Sequence, residues 1–217
     1  GEIMGIEEDI KFPLKDKDWL VKILVGGVIS LIPIVNFIAL GYYIKTMRNS
    51  IDGKPGMPEW KGFGNFFVKG LITFVICLVY MIIPITIIIA TTVIWGLHKG
   101  NILRMWDIFA NTGLIMGLLM AFVAALIIGF LLPMALAMYA KSDNIKDAFK
   151  FGELINRIKS VFNEYIIAYG VVILLIIILW VVTLIPIIGW IIGIFGSFYV
   201  AVVAANMFGR VYAKSVE

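Results

Sequence analysis

Side chains able to do chemistry are few in this 217-residue sequence, and they lie far apart. The single histidine, His98, has no cysteine or carboxylate close to it, so the ligand set of a zinc site is missing. Cys77 is the only cysteine and cannot form an intramolecular disulfide. The sequence contains no phosphate-binding loop, metalloprotease motif or serine-hydrolase elbow. We therefore predict no catalytic residue, no metal ligand and no cofactor.

The carboxylates support the same prediction. They lie in polar flanks and loops, and no pair stands inside an apolar stretch as an intramembrane acid–base pair would. An enzyme acting on lipid at the membrane interface would need Glu59, His98 or Asp107, and their spacing indicates no catalytic pair. We predict that the protein is not an enzyme.

Three asparagines are the strongest polar groups in or beside the apolar stretches. Asn36, Asn111 and Asn206, together with Arg210, form a candidate intramembrane polar site. Under the structural interpretation, their amides join helices by hydrogen bonds. Under the functional interpretation they contact a substrate, and Asn206 orients Arg210 towards a headgroup phosphate.

A loop rich in glycine and proline carries the sequence Pro58-Glu59-Trp60. The favoured interpretation is a connector that lies on the surface and is held down by Trp60. The alternative is a contact for a partner protein or a lid over a pocket.

Composition limits the class of protein. Hydrophobic residues make up 62% of the chain, charged residues 15%, and the mean hydropathy is +1.03. A soluble domain of this size cannot bury so much apolar surface, which excludes the soluble and disordered classes. The net charge of +4 belongs to loops on one side of a membrane, and no basic stripe with stacking aromatics indicates nucleic acid. The predicted partners are membrane lipids, without nucleic acid.

Four stretches are long and apolar enough to cross a bilayer of about 30 Å. They are Gly70–Gly96, Trp106–Tyr139, Tyr165–Ile185 and Gly189–Gly209. The segment 19–47 is interrupted by Pro33 in the string Leu-Ile-Pro-Ile, which recurs around Pro186 between two of these spans. Since proline ends helices, we predict a short hairpin over 19–47.

Charge distribution favours that hairpin. It leaves only Lys99 and Arg104, of the 18 basic residues, on the outer face. The predicted fold is all-α and polytopic, with about six membrane segments in three hairpins and both termini cytoplasmic. Its parts are an N-terminal cytoplasmic segment (1–18), a short membrane hairpin (19–47), a cytoplasmic loop (48–69), a central hairpin (70–139), an interfacial amphipathic helix (140–164) and a C-terminal hairpin (165–211).

The interfacial helix is predicted from apolar residues at steps of three and four between Asn144 and Asn163. Ser142 or Asp143 is its predicted N-cap, and its basic face is expected to turn towards lipid headgroups.

Small residues recur at every fourth position in two spans. One ladder is Gly113, Gly117, Ala121, Ala125 and Gly129; the other is Gly189, Gly193, Ser197, Ala201, Ala205 and Gly209. Such ladders let helices approach closely in lipid. The alternatives are the seam of a homo-oligomer or a lining for a lipid tail.

Several short motifs resemble one family. These are Asp18-Trp19, Gly26-Gly27, Pro33, Gly41-Tyr42, Pro58-Glu59-Trp60, Ala148-Phe149 and Gly152-Glu153. The chain resembles an uncharacterised, mainly archaeal family of polytopic membrane proteins, domain of unknown function 4013. The resemblance implies a prokaryotic cell-membrane location and no known activity, and it carries over no functional residue.

Two functions therefore compete. The first is a non-enzymatic scaffold, lipid-organising protein or accessory subunit, alone, as a homo-oligomer or in a larger membrane complex. The alternative is a transporter or channel for a neutral or lipidic solute, whose path is lined by the span polar groups and by helices broken at Pro84, Pro133 and Pro186.

Overall fold

The computed structural model describes the backbone of residues 2–54, 56–98 and 104–216 and the side chains of residues 5–54, 56–97 and 111–216. All regular structure within these ranges is helical. In chain order the helices are α1 (Glu2–Ile10), α2 (Trp19–Leu31), α3 (Phe37–Ile51), α4 (Phe63–His98), α5 (Arg104–Ser142), α6 (Phe151–Ser160), α7 (Phe162–Thr183) and α8 (Ile188–Lys214), with 3-10 turns at Pro13–Lys15 and Ile145–Phe149.

Four helices are long and apolar enough to cross a membrane. They are α4 over Phe63–Leu97, α5 over Asn111–Ser142, α7 over Phe162–Thr183 and α8 over Ile188–Lys214. This confirms the predicted class of polytopic helical membrane protein. The more detailed count of six segments in three hairpins stays a prediction.

The chain turns at both predicted prolines. Pro33 lies between the end of α2 and the start of α3, and Pro186 lies between α7 and α8. In each turn the residue after proline has a positive φ, 71° at Ile34 and 65° at Ile187, which is rare for a β-branched side chain. The turns also share a backbone hydrogen bond: the Asn36 amide donates to the Ile32 carbonyl at 2.9 Å, and the Gly189 amide donates to the Ile185 carbonyl at 2.9 Å. The two turns are therefore alike in backbone as well as in sequence.

The arms on either side of Pro33 are short. At about 1.5 Å per residue, the 13 residues of α2 reach about 20 Å and the 15 residues of α3 about 22 Å. Neither arm reaches across about 30 Å of hydrocarbon. Because α3 continues to Ile51 and α4 begins at Phe63, the connecting loop is 52–62, shorter than the predicted 48–69.

The prediction of one continuous amphipathic helix over 144–163 is wrong. The segment is a 3-10 turn, a break at Lys150 and then α6. Asn144, rather than Ser142 or Asp143, caps the turn by accepting from the Lys146 amide at 3.1 Å. Of the predicted apolar face, Ile158 is buried in α6 and Ile155 is exposed, while Leu154, which was not assigned to that face, is buried.

Helices α4 and α5 continue through Pro84 and Pro133. The expectation that these prolines break the helices is therefore wrong. Proline is tolerated inside membrane helices because neighbouring side chains and local adjustment satisfy the freed backbone groups. Among the prolines of the transporter alternative, Pro186 alone separates two helices.

The chain divides into two compact units. The larger comprises the residues up to Val75 and those from Pro133 onwards, and the smaller comprises Ile76–Leu132. In the larger unit α8 is central and packs against α1, α2, α3 and α7. A buried cluster there joins α2, α3, α8, the loop and the start of α4 through Ile23, Ala39, Tyr42, Met57, Phe66, Phe198 and Val202.

Candidate functional site

A buried lysine stands at the start of α2. The Lys22 side chain is 5% exposed, and its ammonium lies 2.9 Å from Asp16 Oδ2 and 2.7 Å from Glu59 Oε1. It also donates to the Met57 carbonyl at 3.1 Å. Because a buried ammonium requires compensation, these three oxygens are what allow a charge at this position.

Asp16 ties this cluster to the loop. Its Oδ2 accepts from the Met57 amide at 3.0 Å, and its Oδ1 accepts from the Asp18 amide at 3.0 Å. Burial alone raises the pKa of Asp16, but these bonds and the Lys22 ammonium outweigh it and hold the pKa below the ordinary value. Asp16 is therefore a carboxylate that folding stabilises in its charged form.

The Pro58–Trp60 loop is anchored on the same cluster. Trp60 stacks on Tyr42 with ring centroids 4.1 Å apart, and its Nε1 donates to the Lys22 carbonyl at 3.1 Å. Tyr42 donates its hydroxyl to the Pro58 carbonyl at 2.7 Å. This arrangement favours the interpretation as a connector held down by Trp60 over that of a lid, because a lid needs contacts that open readily.

Asn206 and Arg210 meet at the N-terminal segment. Asn206 Oδ1 accepts from Ser50 Oγ at 2.7 Å, and its Nδ2 donates to Asp9 Oδ1 at 2.8 Å. Arg210 pairs with the same carboxylate oxygen at 2.5 Å. Burial raises the pKa of Asp9, and the bonds from Arg210 and Asn206 only partly oppose it. Asn206 and Arg210 thus share one carboxylate partner, Asp9.

The other two asparagines lie elsewhere. In the smaller unit, Asn111 Oδ1 accepts from Trp95 Nε1 at 2.9 Å. Asn36 follows the Pro33 turn, and its Oδ1 is buried without a hydrogen-bond partner among the described residues. Within the larger unit, the Asn206 side chain is therefore hydrogen-bonded to Ser50 and Asp9. The Asn36 side-chain oxygen has no such partner among the described residues.

A cleft of about 510 Å³ lies between the C-terminal ends of α2 and α7 and the first turns of α8 in the larger unit. Ser30 and Leu31, at the end of α2, line it together with Thr183, at the end of α7. Each lining hydroxyl is used within its own helix: Ser30 donates to Gly26, Thr183 to Trp180 and Ser197 to Gly193. The cleft therefore presents an apolar surface despite its hydroxyl groups.

The small residues of α8 pack against different helices along its length. A Cβ added at Gly209 would lie 2.6 Å from the Met47 carbonyl oxygen of α3, and one at Gly189 would lie 2.1 Å from the Val182 carbonyl oxygen of α7. A ladder of period four drifts by about 40° per step on a helix of 3.6 residues per turn, so its members face different neighbours. Ala205 is buried, Gly193 is buried, Ala201 is half-buried and Ser197 is exposed.

The ladder of α5 in the smaller unit is less uniform. A Cβ at Gly117 would meet the Thr91 side chain at 2.3 Å, whereas nothing lies within 4 Å at Gly113. Ala121 is 2% exposed, and Ala125 and Gly129 are half-buried.

His98 and Asp107, two of the three groups that an interfacial lipid enzyme would need, lie outside the residues whose side chains the structure describes. Glu59 is described, and it faces Lys22. Among the described residues no group of three or more histidine, cysteine, aspartate or glutamate side chains is placed to hold a metal ion.

Sequence reasoning missed Lys22, Asp9 and Asp16. The available signal for Lys22 is its position, because a lysine inside an apolar segment that begins at Trp19 indicates a buried ion pair. The pairing of Asp9 with Arg210 has no local signal, because 201 residues separate the two.

These features define a polytopic helical membrane protein of unknown activity, whose larger unit holds a buried lysine paired with carboxylates. A family model described as "Protein of unknown function (DUF4013)" matches residues 25–188. The chain belongs to this family, as the sequence resemblance indicated. No curated protein and no solved structure matches the chain.

Proposed function

We propose that the protein is a non-enzymatic scaffold, a lipid-organising protein or an accessory subunit of the cell membrane, with both termini cytoplasmic. The carrying observation is the large apolar surface that one copy leaves uncovered. In the most apolar 18-residue stretch of each helix, only 22% of the residues are buried in α4, 11% in α5 and 11% in α7. Such surface has to be covered by lipid tails or by helices of another chain.

The polar groups support this proposal because they act within the fold. Lys22, Asp9 and Arg210 are paired internally, and Asn206 holds two helices and the N-terminal segment together. Among the described residues nothing lies within 4 Å of a Cβ at Gly113, which suits the close approach of a second helix. A homo-oligomer or a larger membrane complex is accordingly part of the proposal.

Reconstitution tests it. The purified protein is placed in phosphatidylcholine vesicles, with protein-free vesicles as the control, and vesicle shape is followed by cryo-electron microscopy while crosslinking reports self-association. We expect altered morphology or a crosslinked oligomer. Unchanged vesicles, together with a monomeric protein that copurifies with no partner from its own membrane, contradict the proposal.

The second candidate is a transporter or channel for a neutral or lipidic solute. The buried, unpartnered Oδ1 of Asn36 beside the Pro33 turn favours it, since an orphaned buried acceptor is a place for a ligand. Flux of a neutral solute into proteoliposomes is the test. Loss of flux in Asn36→Leu, with flux retained in the control Asn156→Leu at an exposed asparagine of α6, would favour transport over the scaffold.

A further inference from the structure

A second cavity, of about 640 Å³, lies between α3, the loop 52–62 and the first turns of α4. Lys45, Arg48 and Asn49 are three and four residues apart and share one face of α3. Asn65 and Lys69 share one face of α4. The loop and the end of α5 complete the walls with Lys54, Lys61, Glu59 and Asp143. We call this space the basic cavity.

Charge in the basic cavity is unbalanced. Its walls carry five cations and two carboxylates. Glu59 is engaged by the buried Lys22 at 2.7 Å. Asp143 is engaged by Lys69 at 2.7 Å and by Arg48 at 3.7 Å.

Two of the lysines are left over. Neither Lys45 nor Lys61 has an ion-pair partner among the side chains that the structure describes, and Lys54 reaches only Asp52, at 3.9 Å. Lys61 is exposed and Lys45 is half-buried, so both ammonium groups can meet a ligand that enters from solvent.

The donors suit phosphate. A guanidinium offers paired donors to phosphate oxygens, lysine ammonium groups act as point charges, and asparagine amides add neutral donors. A concave surface lined by one sign of charge concentrates its potential and raises the local concentration of an anion. At about 30 Å³ per water, the volume is that of about 20 waters, so the cavity accommodates more than a single small ion.

We propose that the basic cavity binds a phosphate-bearing ligand, either the headgroup of an anionic phospholipid or a soluble phosphate compound. The proposal goes beyond the scaffold and transporter functions and depends on neither, because it rests on the walls of this cavity alone.

The test uses matched pairs of variants in the full chain. Lys45→Gln/Lys61→Gln removes the two unpaired charges of the basic cavity. Lys15→Gln/Lys17→Gln removes the same net charge from two exposed lysines of the N-terminal segment, outside the basic cavity and outside the segment 144–163. The cavity pair breaks no described ion pair and the control pair loses only the exposed Lys15–Glu8 contact at 3.9 Å, so both variants should unfold thermally like the wild type.

Two measurements separate the two sources of phosphate. Isothermal titration of sodium pyrophosphate into the protein in phosphatidylcholine nanodiscs detects a soluble ligand. Native mass spectrometry after mixing with phosphatidylglycerol and phosphatidylcholine detects retention of an anionic lipid. At about fivefold per lysine, the cavity pair should weaken binding about 25-fold in at least one measurement, and the control pair should leave it unchanged.

The measurement in which this difference appears identifies the source of the phosphate. The proposal is overturned if the wild type binds neither probe, if the cavity pair binds as the wild type does, or if both pairs weaken binding equally, since equal losses report only total charge.

Discussion

Replacing Lys22 with methionine should destabilise the larger unit, because it leaves carboxylates without their cation. Most of the lost stability comes from Asp16, because its side chain is only 11% exposed and its charge would stay buried without a cation. The Glu59 side chain is 59% exposed and can turn to water. Breaking a buried pair from one side costs about 3–5 kcal/mol. Asp16 keeps its bonds from the Met57 and Asp18 amides, so we expect about 3 kcal/mol for Lys22→Met.

The same geometry predicts a smaller loss of stability when the exposed carboxylate partner, Glu59, is changed instead of Lys22. In Glu59→Gln, Lys22 keeps Asp16 and the Met57 carbonyl, and only a pair with one exposed partner is lost. We expect about 1 kcal/mol, the upper end for exposed pairs. Lys17→Met is the control, because Lys17 is exposed and has no ion pair among the described side chains.

Thermal and denaturant-induced unfolding in detergent micelles measures the order of these effects. The expected order of destabilisation is Lys22→Met, then Glu59→Gln, then Lys17→Met near zero. The reasoning is refuted if Lys22→Met is as stable as the wild type, or if Glu59→Gln costs as much as Lys22→Met, because the burial of the lysine and of Asp16 would then carry no energetic weight.

Three further predictions concern packing and pH. A Cβ at Gly70 would lie 1.7 Å from the Phe37 carbonyl oxygen, so Gly70→Ala should lower the free energy of unfolding by about 3 kcal/mol by forcing α3 away from α4. The control Gly64→Ala should change little, because no described atom lies within 4 Å of the added Cβ. Equal unfolding midpoints for the two variants would contradict this prediction. Trp60→Ala removes the ring stack on Tyr42 and the hydrogen bond to the Lys22 carbonyl. It should lower the free energy of unfolding by about 3 kcal/mol and speed proteolysis of the loop 52–62. An unchanged cleavage rate would argue against an anchored loop. The pKa of Asp9 is raised in the folded state, so its contribution to stability is complete below the ordinary pKa of 3.8 and is lost as pH rises through the higher folded value. We therefore expect the melting temperature of Asp9→Asn to gain on that of the wild type as pH rises from 4 to 6. The opposite trend would show that the ion pair with Arg210 dominates.

The features that sequence reasoning predicted depend on local signals. Hydropathy alone located the four long helices, because it acts within a few residues. Proline alone did not locate the turns, since α4 and α5 continue through Pro84 and Pro133; the turns at Pro33 and Pro186 were indicated by the repeated Leu-Ile-Pro-Ile string. The hairpin over 19–47 was favoured by the same string and by the distribution of basic residues.

The features that it missed depend on tertiary contacts. The predicted continuous helix was wrong because a 3-10 turn of five residues, capped by the Asn144 side chain, precedes α6. The partners of Asn206 and Trp60 could not be predicted, since Asp9 is 197 residues from Asn206 and Lys22 is 38 residues from Trp60. A stripe of small residues predicts close approach to some helix, but its drift around α8 decides which one.

The central place of α8 has a consequence for how the chain is made. Residues of the N-terminal segment contact a helix that is synthesised much later: Tyr199 donates its hydroxyl to the Ile10 carbonyl at 2.7 Å, and Phe198 lies against Gly26 of α2. Until α8 is synthesised, α1, α2 and α3 lack their principal packing surface, and the two short arms are too brief to insert as stable spans on their own. The larger unit can therefore be completed only once α8 has been synthesised.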